Sequence, residues 1–350
     1  LMIRRPPRST LDRSSAASDV YKRQAKALVA PKKGILAADE SSNTIKKRFD
    51  SINVESTESN RQSYREMLFQ TEGISKFISG VILFDETIRQ KSSDGESLVS
   101  ILSKQGILPG IKVDSGAKPL SGTENETITE GLDGLRERLQ KYYELGAKFT
   151  KWRAVINIGN EEPSDYAIKT NAHALARFAA LSQEANLVPI VEPEVLMDGS
   201  HSIKKCYEVT NITLREVYYE LYNQKVELEG TLLKPNMVIP GKDSNDSSNP
   251  SEIAKYTVKC LMDCVPASVP GIVFLSGGQS DDEATINLHH INVIAKKLQT
   301  PWELSFSYGR GLQSAPLKTW LGNQDNILLA QKAFHSRAKD TSAARNGSFL

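Results

Sequence analysis

Residues that bind metals or form disulfide bonds are scarce in this sequence. Its 350 residues include five histidines and three cysteines, which are Cys206, Cys260 and Cys264. There is no HxH, HExxH or CxxC arrangement, so the spacings typical of zinc ligands are missing, and we expect no metal cofactor. Cys260 and Cys264 are one helical turn apart within an apolar pattern. We expect them to be buried thiols in a reducing compartment, because an odd number of cysteines does not suggest a disulfide framework.

Long apolar runs and an excess of charge of either sign are also lacking. No apolar stretch approaches the ~18 residues that a membrane span requires, so we expect no membrane partner. Lysine and arginine number 44 and aspartate and glutamate 42, which leaves a net charge of +2. So small a charge gives no support to nucleic-acid binding, whereas a small anion would need only local cations. Hydrophobic residues make up 39% of the chain, which is enough for a large core.

Residues 1–24 lack the apolar periodicity of the rest of the chain and are rich in arginine and serine. Transit peptides share that composition, but Asp12, Asp19 and the Pro6-Pro7 pair argue against one. The segment also resembles the translated sequencing adapters that precede unrelated sequences. We therefore expect a non-native segment that is disordered or poorly packed and lies outside the folded domain.

Eight short apolar runs alternate with amphipathic helical patterns along the rest of the chain. The runs cover residues 34–39, 78–87, 108–114, 149–156, 188–195, 230–238, 270–278 and 301–310. Continuous apolar strands between amphipathic helices indicate a parallel sheet covered on both faces, and eight of them indicate a closed barrel. An open doubly wound sheet is the alternative, but the glycine-rich turn that it needs after the first strand is missing. The predicted fold is therefore α/β, a single-domain (β/α)8 TIM barrel over residues 25–338, with a truncated flexible tail over residues 339–350.

The carboxyl ends of all strands in such a barrel meet on one face. Lys234 ends the apolar stretch at the start of the sixth predicted run, and Pro235 and Asn236 interrupt the apolar pattern directly after it. Burial beside other cations favours the neutral form of a lysine amine, which can attack a carbonyl. The alternative is a snorkelling lysine that only keeps its amine in water at a strand end.

Four further charges follow the same side of two neighbouring strands. Lys151 and Arg153 are two residues apart on the fourth strand, as are Glu192 and Glu194 on the fifth. Interior charges must be paired, so either they form a chemical site or they form an ion-pair lattice without chemistry. Other strand ends add three more charged residues: Asp39, Lys112 and Asp114.

Glycine-rich turns follow the seventh and eighth predicted strands. Backbone N–H groups at these two positions of a barrel commonly bind phosphate. With a reactive lysine and nearby carboxylates, such a cradle suits carbon–carbon bond chemistry on a phosphorylated ketose. The predicted cradle consists of Ser276, Gly277, Gly278, Ser307, Gly309 and Arg310.

Seven motifs resemble those of class I fructose-bisphosphate aldolases, in order and at the spacing of that family, from about Ala25 to about Lys339. The motif around Lys234 is the most specific of them. The motifs are GILAADES (34–41), GIKVD (110–114), KWR (151–153), VEPE (191–194), EGTLLKPN (229–236), FLSGGQ (274–279) and FSYGR (306–310).

The resemblance implies reversible cleavage of fructose 1,6-bisphosphate into dihydroxyacetone phosphate and glyceraldehyde 3-phosphate, through a covalent lysine Schiff base and without a metal. It implies that Lys234 is the Schiff-base lysine and that Glu192 is the general acid and base of carbinolamine formation. Lys151 would assist iminium formation, and Asp39 would deprotonate the hydroxyl at the scissile bond. Glu194 would hold the charge network together.

The resemblance further implies a second phosphate site formed by Arg48 with Ser41, Thr44 and Lys112, and it places Arg153 among the substrate-binding residues. It implies a homotetramer that acts in glycolysis and gluconeogenesis in the cytoplasm, with a plastid as the alternative location. A different Schiff-base lyase of the transaldolase kind and an inactive or weakly active aldolase-like scaffold remain as alternative functions.

Two departures from the family are expected to matter. The family ends in a flexible tail with a terminal tyrosine that protonates the enamine, whereas this chain stops at Leu350. We expect Schiff-base formation and cleavage to survive and enamine protonation to slow. The segment 1–24 replaces the usual first helical residues, which is expected to weaken that end of the barrel.

Overall fold

The structure, a computed structural model, describes residues 8–350, with side chains from Ser18 onward. Its centre is a closed barrel of eight strands in which every neighbouring pair is parallel, including the first strand with the last. The predicted (β/α)8 barrel is therefore confirmed. The barrel strands are β1 (Gly34–Ala38), β2 (Ile78–Leu83), β3 (Leu108–Lys112), β4 (Phe149–Ile156), β5 (Val188–Val195), β6 (Leu232–Leu233), β7 (Gly271–Phe274) and β8 (Glu303–Tyr308).

Helices follow the strands and cover the outside of the barrel, because one apolar stripe of each helix packs on the buried outer face of the sheet. A two-stranded antiparallel hairpin, Ala117–Pro119 with Thr127–Thr129, lies between β3 and β4. The helices are α1 (Arg8–Leu28), α2 (Ser42–Asp50), α3 (Glu58–Phe69), α4 (Asp85–Arg89), α5 (Leu98–Lys104), α6 (Leu135–Glu144), α7 (Asp165–Glu184), α8 (Ile203–Asn223), α9 (Pro250–Cys264), α10 (Asp281–Leu298), α11 (Arg310–Trp320) and α12 (Ile327–Arg345).

Six of the eight predicted strands are shorter in the structure than in the prediction, and for two of them the sequence shows a local cause. The run 78–87 ends as a strand at Leu83, and α4 begins at Asp85, because the acidic residues Asp85 and Glu86 favour the start of a helix. The run 230–238 keeps only Leu232–Leu233 as a strand. Pro235 has no backbone N–H to continue the ladder, although the Lys234 N–H still donates to the carbonyl of Val191.

Helix α1 closes the amino-terminal end of the barrel. Its residues Tyr21, Ala25 and Leu28 are buried in one apolar cluster with barrel residues such as Phe149. The backbone of Gly230 lies so close to this helix that a Cβ would be 2.4 Å from the ring of Tyr21. Residues 8–24 thus differ from the expected disordered segment, because they belong to this helix and its apolar face fills the barrel end. Residues 1–7 of that segment lie outside the described residues.

The carboxyl-terminal residues also differ from the expected flexible tail. Helix α12 continues to Arg345 and therefore extends into the segment 339–350 that was expected to be a tail. The buried guanidinium of Arg345 donates to the carbonyl of Val29 over 2.6 Å and lies 3.0 Å from Glu303. These contacts join the last helix to the residues between α1 and β1, so much of segment 339–350 packs on the barrel.

In the described part of the chain, none of the helices combines the length and the apolar character needed to cross a membrane.

Candidate active site

The carboxyl ends of the barrel strands open into a cavity of about 820 Å³. Every predicted site residue except Gly278 lines this cavity, which brings together residues from seven of the eight strand ends. The predicted residues that line it are Asp39, Ser41, Thr44, Arg48, Lys112, Lys151, Arg153, Glu192, Glu194, Lys234, Ser276, Gly277, Ser307, Gly309 and Arg310.

A chain of alternating charges lies at the base of the cavity. Lys234 Nζ is 3.1 Å from Glu192 Oε1, and Glu192 Oε2 is 3.3 Å from Lys151 Nζ. Lys151 Nζ is in turn 2.6 Å from Asp39 Oδ2. All four side chains are at most 13% exposed, so little water screens these contacts. Two ammonium groups and two carboxylates are therefore held within proton-transfer distance of one another.

This arrangement keeps Asp39 and Lys151 ionised. Burial alone would raise the pKa of Asp39, but the ammonium groups of Lys151 and Lys234 hold it below the ordinary value of 3.8. Burial would lower the pKa of Lys151, but the carboxylates of Asp39 and Glu192 raise it above the ordinary 10.5. Asp39 is consequently a carboxylate at neutral pH, which is the form that can accept a proton.

Two further ion pairs line the wall formed by β3, β4 and β5. The Arg153 guanidinium donates to the Glu194 carboxylate, and this contact raises the pKa of Arg153 against the opposing effect of burial. Lys112 Nζ lies 2.6 Å from Asp114 Oδ1, and Asp114 Oδ2 accepts from the backbone N–H of Arg153. Lys112 and Lys151 are direct neighbours in the register of β3 and β4, so each ammonium needs its own carboxylate.

Asp114 and Glu40 also line the cavity, although neither is among the predicted site residues. Asp114 lies at the end of a predicted strand. Glu40 is buried directly after Asp39, and its carboxylate accepts from Arg48, Arg65 and Gln313. The sequence could have indicated Glu40. Successive residues of a strand point to opposite faces, so the acidic residue next to Asp39 must face a different part of the structure.

Helices α2 and α11 direct open amino-terminal ends at the cavity. Neither has a side-chain cap bond or an acidic residue in its first turn. Ser41, at the start of α2, and Thr44 line the cavity with their hydroxyl oxygens 3.1 Å apart. Gly309 and Arg310 start α11. Backbone N–H groups at such ends attract anions, so each of the two helices provides an anion-binding end.

Helix α10, which follows the SGG turn after β7, does not contribute such an end. It begins at Asp281, and Ser280 caps it in a capping box with Glu283. Three acidic residues in its first turn already compensate its dipole: Asp281, Asp282 and Glu283.

Gly278 is the predicted site residue that does not line the cavity, and its role in phosphate binding stays a prediction. It is exposed, and a Cβ at this position would be 2.2 Å from the sulfur of Met197. The glycine is therefore needed for the close packing of two loops. Gly277 does line the cavity and has a φ of 58°, which favours glycine, and the Arg310 guanidinium donates to its carbonyl.

Arg48 connects the two helix ends. It lies one turn after Thr44 on α2, and its Nη2 would be 3.6 Å from a Cβ on Gly309. The second phosphate site implied by the resemblance thus lies close to the turn after β8.

The described residues contain no group of three or more histidine, cysteine, aspartate or glutamate side chains that could hold a metal ion. The cavity instead offers cations, two open helix ends and a buried amine.

Comparison with known proteins gives matches over most of this chain. A family model described as glycolytic fructose-bisphosphate aldolase class-I matches residues 21–350. The cytosolic fructose-bisphosphate aldolase 4 of Arabidopsis thaliana is 57% identical over 319 residues, which is 91% of this chain and 81% of the relative. A probable fructose-bisphosphate aldolase class 1 of Xanthomonas campestris pv. campestris is 55% identical over 92% of this chain and 96% of its own length.

A solved structure agrees with the sequence matches. Fructose-bisphosphate aldolase from Plasmodium falciparum, crystallised in complex with TRAP and a small molecule inhibitor, has a TM-score of 0.94 and 46% identity over 96% of both chains. The resemblance found in the motifs is thereby confirmed, and the alternative of an inactive scaffold is not supported. This chain belongs to the class I fructose-bisphosphate aldolase family.

Proposed function

We propose that this chain catalyses the reversible cleavage of fructose 1,6-bisphosphate into dihydroxyacetone phosphate and glyceraldehyde 3-phosphate, with Lys234 as the nucleophile. One observation carries this proposal: the Lys234 amine is buried at the end of β6, 3.1 Å from Glu192, and lines a cavity with two anion-binding helix ends. An amine in that setting can attack the ketone of a substrate whose phosphates bind at the helix ends.

Glu192 serves as the general acid and base for Schiff-base formation. Its two oxygens contact Lys234 and Lys151, so it can take the proton that the Lys234 amine must lose. It then returns a proton to the hydroxyl of the carbinolamine, which leaves as water and produces the iminium. Lys151 stabilises the charge on Glu192 during both transfers.

Asp39 serves as the base for carbon–carbon bond cleavage. It takes the proton of the hydroxyl on C4, a carbonyl forms there, and the C3–C4 bond breaks. The electron pair of that bond moves to the iminium, which becomes a neutral enamine, and glyceraldehyde 3-phosphate leaves. Protonation of the enamine and hydrolysis then release dihydroxyacetone phosphate and regenerate Lys234.

Remaining residues bind and orient the substrate. Ser276, Gly277, Ser307, Gly309 and Arg310 surround the phosphate on the ketone side. The second phosphate contacts the start of α2 through Ser41 and Thr44, with Arg48 and Lys112 as its cations. Glu194 holds Arg153 against the wall of the cavity.

Borohydride trapping tests the nucleophile directly. The chain is incubated with dihydroxyacetone phosphate and sodium borohydride, and the reduced adduct is located by intact mass and peptide mapping. We expect one adduct on Lys234 and none in the Lys234→Met variant. A folded wild-type chain without an adduct, or with the adduct on another lysine, would exclude the proposed mechanism.

We further propose that the chain forms a homotetramer in the cytosol. Support for assembly comes from α8, where Ile212, Tyr219 and Tyr222 are more than half exposed and lie at helical spacing on one face. Met262 on the neighbouring α9 is also exposed. An apolar surface of this kind commonly marks a protein–protein contact. Support for the location comes from three Arabidopsis thaliana relatives whose names include the word cytosolic.

A further inference from the structure

Two arginines share one carboxylate behind the second phosphate site. Glu40 Oε1 accepts from Arg48 Nη1 over 2.5 Å and from Gln313 Nε2 over 2.7 Å. Glu40 Oε2 lies 3.2 Å from Arg65 Nη2, which also donates to the backbone carbonyl of Glu40. Arg65 therefore binds both the side chain and the main chain of a residue adjacent to Asp39.

Arg65 is a buried charged group. It lies on α3 and is 1% exposed, and two of its nitrogens, Nε and Nη1, have no hydrogen-bond partner among the described residues. A guanidinium does not lose its proton in a protein. The neighbouring carboxylate of Glu86 does not neutralise it, because Glu86 forms two hydrogen bonds with Arg61.

The charges in this cluster do not cancel. Arg48 and Arg65 carry two positive charges and Glu40 carries one negative charge, so one positive charge remains. Arg48 is the member of the cluster whose side chain is partly exposed, at 24%, and it lines the cavity together with Glu40. An anion bound in the cavity beside Arg48 would complete the charge balance that the buried cluster lacks.

We infer that Arg65 is a positioning residue for the second phosphate of the substrate, which acts through Glu40 on Arg48. Arg65 holds the Glu40 carboxylate in place and takes part of its charge, which leaves the Arg48 guanidinium available to the phosphate. Without Arg65, Glu40 would neutralise Arg48, and the phosphate would be bound less tightly. This inference rests on the proposed function, since it takes the start of α2 as a phosphate site.

The experiment compares two substrates that differ in this phosphate. Values of kcat and KM are measured for fructose 1,6-bisphosphate and for fructose 1-phosphate with the wild-type chain and with Arg65→Met, which keeps an unbranched side chain but removes the charge. We expect KM for the bisphosphate to rise about tenfold more than KM for the monophosphate, which corresponds to ~1.4 kcal/mol of binding free energy.

Arg61→Met is the matched control. Arg61 lies on the same helix, one turn before Arg65, and is paired with a carboxylate that does not contact Arg48. Both variants lose an ion pair of α3, and both are expected to lower the melting temperature. Only Arg65→Met is expected to change the ratio of the two KM values.

Arg65→Lys provides a second test, in which the positive charge is retained. This variant replaces Arg65→Met in the comparison if the methionine variant does not fold. We expect a smaller change of the KM ratio in the same direction, because the compact ammonium of lysine lacks the planar guanidinium that holds Glu40 Oε2 together with the Glu40 backbone carbonyl. The inference would be overturned if Arg65→Met changed both KM values by the same factor. If the methionine variant is unfolded, an unchanged KM ratio in Arg65→Lys would overturn it. Absence of Schiff-base trapping in the wild-type chain would instead overturn the proposed function.

Discussion

Lys151 is the residue of the cavity that contacts both proposed catalytic carboxylates, those of Asp39 and Glu192. Its ammonium lies between Asp39 and Glu192, and all three side chains are largely buried. Two carboxylates that lost this cation would face each other in a region of low dielectric constant. Removal of one member of a buried ion pair is far more costly than removal of a surface charge.

We therefore predict that Lys151→Met lowers the free energy of unfolding by about 3–5 kcal/mol and reduces kcat by about 10²–10⁴-fold. Urea unfolding and steady-state kinetics measure the two effects. Lys148→Met is the control, because Lys148 directly precedes β4 and is only half-buried over the ring of Tyr143. Equal losses in both variants would contradict the role of Lys151.

The pH dependence of the unfolding free energy tests the ionised state of Asp39. Its pKa in the folded chain is below the ordinary 3.8, so its ionised form stabilises the fold. That contribution is fully present above pH 3.8 and is lost as the pH falls below it. We predict that the difference in unfolding free energy between the wild-type chain and Asp39→Asn stays constant above pH 3.8 and shrinks below it. Chemical unfolding at a series of pH values measures this difference, and a difference that grows toward acid would refute the prediction.

At the scale of elements, α1 completes the core of the barrel. The ring of Tyr21 lies against the backbone of Gly230 and joins the interior cluster of the barrel. We predict that Tyr21→Ala costs about 3–5 kcal/mol in unfolding free energy, as expected when a buried aromatic side chain is truncated. Arg23→Ala, on the exposed side of the same helix, should change it by less than about 0.5 kcal/mol. A small loss in Tyr21→Ala would mean that α1 is not needed for the barrel end.

Helix α11 allows a test of anion binding at its amino-terminal end. Arg310 begins this helix, and no acidic residue lies in its first turn. We predict that Arg310→Gln weakens the binding of inorganic phosphate by about 10–100-fold, because a hydrogen bond to a charged group contributes ~1.5–3 kcal/mol. Isothermal titration measures the affinity. Lys318→Gln, in the last turn of the same helix, should bind phosphate as the wild-type chain does.

At the scale of the whole molecule, the exposed apolar face of α8 is the feature that a single barrel leaves unexplained. We predict that the double variant Ile212→Glu with Tyr222→Glu is a folded monomer, because two charges would have to be buried in a contact between subunits. Light scattering after size-exclusion chromatography measures the mass. Leu328→Glu, which adds a charge at an exposed position of α12, should keep the mass of the wild-type assembly. A monomeric wild-type chain would contradict the proposed tetramer.

Most of the fold could be predicted because it depends on local patterns. Apolar runs such as Phe149–Ile156 and Val188–Val195 are strands in the structure with the predicted bounds, since each is buried on both faces. The predicted structure was wrong where the local sequence pattern was weak and tertiary packing determined the secondary structure. Residues 18–24 look polar along the chain, yet one face of this helix is apolar and meets the barrel end.

The sequence by itself determined the number of strands, the closure of the barrel and the charged residues at the strand ends, because these follow from periodicity and strand length. Only the tertiary structure decided which charges meet. The pairing of Lys151 with both Asp39 and Glu192, and of Glu40 with Arg48 and Arg65, depends on the register of β1 to β8 and on the position of α3. That register is set by closure of the whole sheet, so no local stretch of sequence contains it.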